Sequence, residues 1–139
     1  MANTTGYSGT PLANKLGIGH GTVVLARHAP DCYREWLAPL PPEVVFATRM
    51  NMRVDVVHLF CTERTVMTTA LTAYRTSMRE DAAIWVSWPK RAAKVPTDIT
   101  EDVIRAVALP MGFVDIKVCA VSDVWSGLKL VIRTALRGA

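Results

Sequence analysis

His58 and Cys61 stand three residues apart in VDVVHLFC, and a cysteine beside a histidine is the minimum set for a thiolate nucleophile. Residues three apart on an extended strand point to opposite faces, so the two meet only if the strand ends between them. The plainer reading of His58 is a core or edge histidine with a backbone partner. His28 and Cys32 offer a second pair across ARHAPDC, with no third group in evidence to orient them. Cys32, Cys61 and Cys119 are widely spaced and form no CxxC or zinc-like cluster, which fits free, mostly buried thiols. The chain shows no serine elbow, phosphate-binding GxxxxGK[ST] loop or paired carboxylates at acid–base spacing. The expectation is no catalytic residue, no metal and no cofactor.

These residues must be positioned by a domain of 139 residues, enough for one core, of which half are hydrophobic. Disorder is excluded by that apolar content. No apolar run is long enough to cross a bilayer, since Arg27, Asp55 and His58 interrupt the strongest ones. With no basic-then-apolar leader at the start, the expected location is the cytoplasm. The net charge of +4 is spread as +1 over positions 1–60, +2 over 61–100 and +1 over 101–139. That even spread makes nucleic acid an improbable partner. The one local excess is PKRAAKVP, where Lys90, Arg91 and Lys94 have no neighbouring acid. It reads either as a solvated loop or as an anion site.

Apolar patterning predicts strands over Thr22–His28, Glu43–Thr48, Val54–Phe60 and Ala83–Trp88. Helices are predicted over Asp31–Ala38, capped by Asp31, and over Thr62–Met78, capped by Thr62. The second carries Val66, Met67, Ala70, Leu71, Tyr74 and Met78 on one stripe. DITE gives Asp98 and Glu101 the spacing of a capping box before Val103, Ile104, Val107 and Ala108. In the tail, Ile116, Val118 and Ala120 alternate with polar residues, as do Leu128, Leu130 and Ile132, which predicts an antiparallel pair. Trp85 and Trp88 fall on opposite faces of their strand, Trp85 in the core and Trp88 at the rim, while Trp125 covers a strand edge. Residues 1–13 are expected as a loop or flexible segment. Alternatively, Tyr7, Ser8 and Thr10 of GYSGTP fold across the sheet as a cover.

Alternating strands and helices imply an α/β, Rossmann-like three-layer sandwich with a mostly parallel sheet of about six strands, ending in an antiparallel pair. Ligands in such sheets sit beyond the carboxyl ends of the strands. That rule gathers His28 and Asp31 after the first strand and Arg49 after the second. It adds Thr62, beside Cys61, after the third, and Trp88 and Lys90 after the fourth. The mixture suits a small anionic ligand.

VDVVHLF resembles the central strand, with an acidic residue at its start, of S-adenosylmethionine-dependent methyltransferases. AAIWVSWPK resembles their next strand, and the terminal pair their reversed last strand. The similarity implies that sheet shortened by one strand and its helix. It does not carry over the cofactor residues. Where those enzymes place an acid and glycines after the first strand, this chain has LARHAPDC, and where they end the second strand with an acid it has Thr48 and Arg49. At a finer level, YSGTPLANKLGI, VHLF, WVSWPK, PTDITEDVIR and KVCAV…WSGLKLV resemble the segments of a family of small single-domain bacterial proteins. That resemblance carries no activity with it.

The expectation is therefore a non-catalytic module that binds a small anionic ligand or a protein on a degenerate methyltransferase-like scaffold. The alternatives are a methyltransferase-like enzyme with an atypical pocket and a weakly nucleic-acid-associated protein acting through PKRAAK. An exposed terminal hairpin also offers an edge for homodimer formation.

Overall fold

The computed structural model describes residues 10–138, so Tyr7 and Ser8 of the expected cover lie outside it. Six strands form one sheet: β1 (Val23–Arg27), β2 (Val45–Phe46), β3 (Val56–Phe60), β4 (Ala83–Pro89), β5 (Phe113–Ala120) and β6 (Trp125–Ile132). Their order is β2-β1-β3-β4-β6-β5. The first four strands run parallel, and β6 is antiparallel to both β4 and β5. As the sequence pattern implies, β1 and β3 lie side by side, and β3 is buried along its whole length.

Alternation sorts the side chains between two cores. Leu25, Val57, Leu59, Ile84, Val86 and Leu128 pack with Met67 and Leu71 of α3 (Arg64–Ser77) and Ile104 of α4 (Glu101–Ala108). On the opposite face, Val24, Val56, Phe60 and Trp85 pack under α1 (Leu12–Lys15) and α2 (Tyr33–Trp36). These two helices are single turns, too short to be stable by themselves, so tertiary anchors hold them. Trp85 Nε1 donates to the Leu16 carbonyl oxygen at 3.0 Å, and the Tyr33 hydroxyl is bonded to His58 at 2.8 Å.

The expected caps are replaced. Asp31 does not cap α2, whose N-cap is Cys32 with no side-chain bond. Thr62 does not cap α3; the Arg64 N–H donates instead to Asp98 Oδ1 at 2.7 Å. With Asp98 so engaged there is no capping box on α4, where Thr100 Oγ1 accepts from the Val103 N–H at 3.1 Å. Four side chains are also more or less exposed than their patterns imply. Val66 is exposed on α3, Ile116 and Val118 are exposed on the edge strand β5, and Trp88 is buried rather than at the rim. Leu128, Leu130 and Ile132 are buried as expected.

Candidate functional site

Strand order reverses between β1 and β3, because the chain moves outward to β2 on one side and to β4 on the other. A crevice of about 300 Å³ opens at this switch point, beyond the carboxyl ends of the two strands. His28 follows β1, and Cys61, Thr62 and Glu63 follow β3; Phe60 and Trp125 form the aromatic wall. Those two rings meet edge-on, with centroids 5.1 Å apart. His28 has φ of +60°, a conformation that costs a non-glycine residue on the order of 1 kcal/mol. The turn that glycine usually makes is thus present here, built with an imidazole. His28 and Val66 also line a neighbouring groove of about 390 Å³ against α3, which Arg27 and Tyr74 complete. Arg27 Nε donates to the Tyr74 hydroxyl at 3.4 Å.

The remaining sequence-predicted residues do not join this crevice. Asp31 lines a cleft of about 380 Å³ between α2 and β2, together with Ala29, Pro30 and Thr48. There the Arg34 guanidinium lies 3.9 Å above the Phe46 ring. Trp88 and Lys90 line a cleft of about 450 Å³ beyond β4. Arg49 is exposed and lines none of these clefts. Pairing rules place residues at a strand end but not around a common cavity, so one expected surface resolves into adjoining clefts.

The His58–Cys61 pair is not assembled for chemistry. Burial, reinforced by the Asp98 carboxylate, pushes the Cys61 thiol up to about 12. His58 is fully buried, which pushes its imidazole down to about 3. It bridges two side chains rather than the expected backbone partner: Nδ1 is 2.8 Å from the Tyr33 hydroxyl and Nε2 is 2.7 Å from Ser87 Oγ. A neutral imidazole satisfies both, since one nitrogen donates and the other accepts. Phe60 stacks on His58 with centroids 4.2 Å apart, so this relay underlies the aromatic wall of the crevice. Tyr33 and Ser87 stand 25 and 29 residues away in the sequence, and no local pattern marks them as partners of His58.

No family profile and no curated protein matches this sequence. Solved structures do match its shape. The fold is that of the Rossmann-like methyltransferases. A putative type 11 methyltransferase from Sulfolobus solfataricus superposes with a TM-score of 0.64 at 12% identity, over 92% of this chain and 93% of that one. A SAM dependent methyltransferase from Aquifex aeolicus gives 0.65 at 11% identity, over 88% of each chain. Magnesium protoporphyrin IX methyltransferase from Synechocystis PCC 6803, solved with bound SAM, gives 0.55 at 13%, over 88% of this chain and 74% of that one. Identities this low establish architecture and leave activity to the site itself.

Proposed function

We propose that this chain is a non-catalytic binding module on the methyltransferase-like scaffold, with a small ligand seated in the switch-point crevice. The observation that carries the reading is the contrast between the crevice wall and the groups beneath it. Trp125 is the half-buried apolar wall, backed edge-on by the buried Phe60, with His28 and Thr62 as polar contacts at its border. Cys61 and His58, which have covalent or proton-transfer chemistry to offer, are withdrawn by burial and hydrogen bonding. A planar ligand with an anionic or acceptor group fits that set: the ring packs against Trp125 and the acceptor faces His28.

A second reading, an enzyme with an atypical cofactor pocket, is favoured by the near-complete overlap with the Sulfolobus chain and by the left-handed turn at His28. Against it, Pro30 provides no N–H donor in that loop, and β2 is followed by Thr48 and Arg49 where the resemblance calls for a ribose-binding acid.

Two titrations separate the readings. S-adenosylmethionine and its demethylated product should give no calorimetric heat; saturable heat abolished by Asp31→Ala would favour the enzyme reading instead. Benzoate, a planar carboxylate, should produce a saturable NMR shift of the Trp125 indole, weakened at least tenfold by His28→Ala. A Trp125 signal that never saturates, or that ignores the substitution, rules the crevice out as the ligand site.

A further inference from the structure

Val66 belongs by its spacing to the buried stripe of α3, yet it is 40% exposed. The topology accounts for this. β1 reaches β2 through α2 and β3 reaches β4 through α3, whereas residues 47–55 carry β2 to β3 without a helix. The crossovers from β2 to β3 and from β3 to β4 advance in the same direction across the sheet, so right-handed connections put them on one face. Met50 packs in the same core as α3, consistent with that side. The flank of α3 beside β1 therefore has no helix against it, and the groove of about 390 Å³ occupies that place.

Arg27, at the end of β1, is the cation of this groove. Its Nε donates to the hydroxyl of Tyr74, a side chain only 7% exposed, so the guanidinium is held in place. That bond leaves both Nη groups, which meet no carboxylate among the described residues. No acid lines the groove either. α3 contains none, and Glu63 and Asp98 at its start stand outside the lining. The positive potential of Arg27 is therefore open to a ligand from outside.

α3 adds two rows of side chains to this space. Thr68, Thr72, Thr76 and Ser77 return their hydroxyls to carbonyl oxygens of their own helix. Thr65 and Thr69, one turn apart on the groove wall, bond no such carbonyl among the described residues. Val66 and Ala70 form the neighbouring row, also one turn apart, and it is apolar. A hydroxyl row and an aliphatic row thus run side by side along the groove that holds Arg27.

We propose that this groove binds an aliphatic monocarboxylate, with its carboxylate on the Nη edge of Arg27, its chain along Val66 and Ala70, and the Thr65 and Thr69 hydroxyls as further donors. One guanidinium matches one carboxylate charge, and its planar fork donates to both oxygens. The volume lies within the range of small-molecule sites. His28 and Val66 border both this groove and the switch-point crevice. The proposal nonetheless stands apart from the crevice reading, because it needs neither the Trp125 wall nor an acceptor at His28.

The probe is sodium hexanoate, followed by two-dimensional NMR on the full chain. The Val66 and Ala70 methyls and the Thr69 amide should shift to saturation, while the Trp125 indole shifts at least tenfold less. Hexanol and acetate, each keeping one half of the probe, should bind at least tenfold more weakly. Arg27→Gln should weaken hexanoate at least tenfold. Thr69→Asp sets an acid on the exposed groove wall and should do the same, whereas Thr72→Asp, an equal charge at an exposed position of α3 outside the groove, should not. Equal binding of hexanol, or indifference to both Arg27→Gln and Thr69→Asp, removes the carboxylate site, and equal binding of acetate removes its apolar half. An equal loss in Thr72→Asp reduces the effect to general charge repulsion and overturns the groove. The benzoate response of the Trp125 indole tests the crevice by itself: hexanoate binding in its absence leaves the groove standing alone, while a hexanoate response centred on Trp125 moves the ligand to the crevice and overturns the groove.

Discussion

At the scale of single residues, the chain commits its most reactive side chains to structure. His58 is held neutral between Tyr33 and Ser87, and its ring is stacked by Phe60. Its pKa, about 3 when folded, lies below the ordinary value of 6.5. Between those values the unfolded chain binds a proton that the folded chain refuses. Stability from this group is therefore complete above about pH 6.5 and is lost as pH falls toward 3, at up to about 1.4 kcal/mol per pH unit. Urea midpoints measured from pH 7 to pH 4 should fall less steeply in His58→Gln, whose amide cannot titrate, than in the parent chain. Parallel slopes would mean that His58 is protonated in the fold and that the relay is not the neutral one described. Cys61 shows the same economy, with its thiol buried and placed near the Asp98 carboxylate.

At the scale of elements, contacts across loops take over work that local sequence is expected to do. Asp98 lies 34 residues from Arg64, yet it accepts the Arg64 N–H at the start of α3, while the Thr97 hydroxyl fastens the same loop to Thr62. Asp98→Ala should cost about 1 kcal/mol, the usual value of an N-terminal cap, read as a lowered urea midpoint. Asp98→Asn, which keeps an acceptor oxygen, should cost less. Both should shift the pH profile of Cys61 alkylation to lower pH, because the charge raising that thiol is gone. Unchanged midpoints in both variants would show that the contact contributes nothing to α3. This is also where sequence legibility ends. Strand and helix order, the β1–β3 pairing and the reversed final pair follow from apolar period and chain order. The caps do not, because Asp98 fits a capping box by spacing and is used by another helix. The candidate site divides in the same way. The carboxyl-end rule finds His28 and Thr62, but the separation of an aromatic crevice from the adjoining clefts depends on which side chains share a cavity, and nothing local encodes that.

At the scale of the molecule, the open question is what the two ends of the sheet do. β2 has only two ladder residues, which leaves little backbone to template another chain. β5 is eight residues long, with Ile116 50% and Val118 48% exposed, so the homodimer expected from the sequence would form there. A second β5 laid antiparallel about Ile116 would set Asp115 opposite Lys117 and pair unlike charges. The irregularity between Asp115 and Lys117 prevents that match. Asp115 pairs with Leu130 while Lys117 pairs with the adjacent Lys129, so the two charges point to opposite faces of the sheet. Asp115 is also bonded to Arg105 at 2.9 Å. If the bulge guards the edge, light scattering at high concentration should return the monomer mass of 15.3 kDa. Deleting Ile116 removes the bulge, leaving Asp115 and Lys117 as neighbours that still face opposite sides, and the more regular edge should raise the dimer fraction at the same concentration. A parent chain that is dimeric, with the dimer broken by Val118→Lys, would show instead that β5 pairs despite its bulge and that this edge is a working surface of the protein.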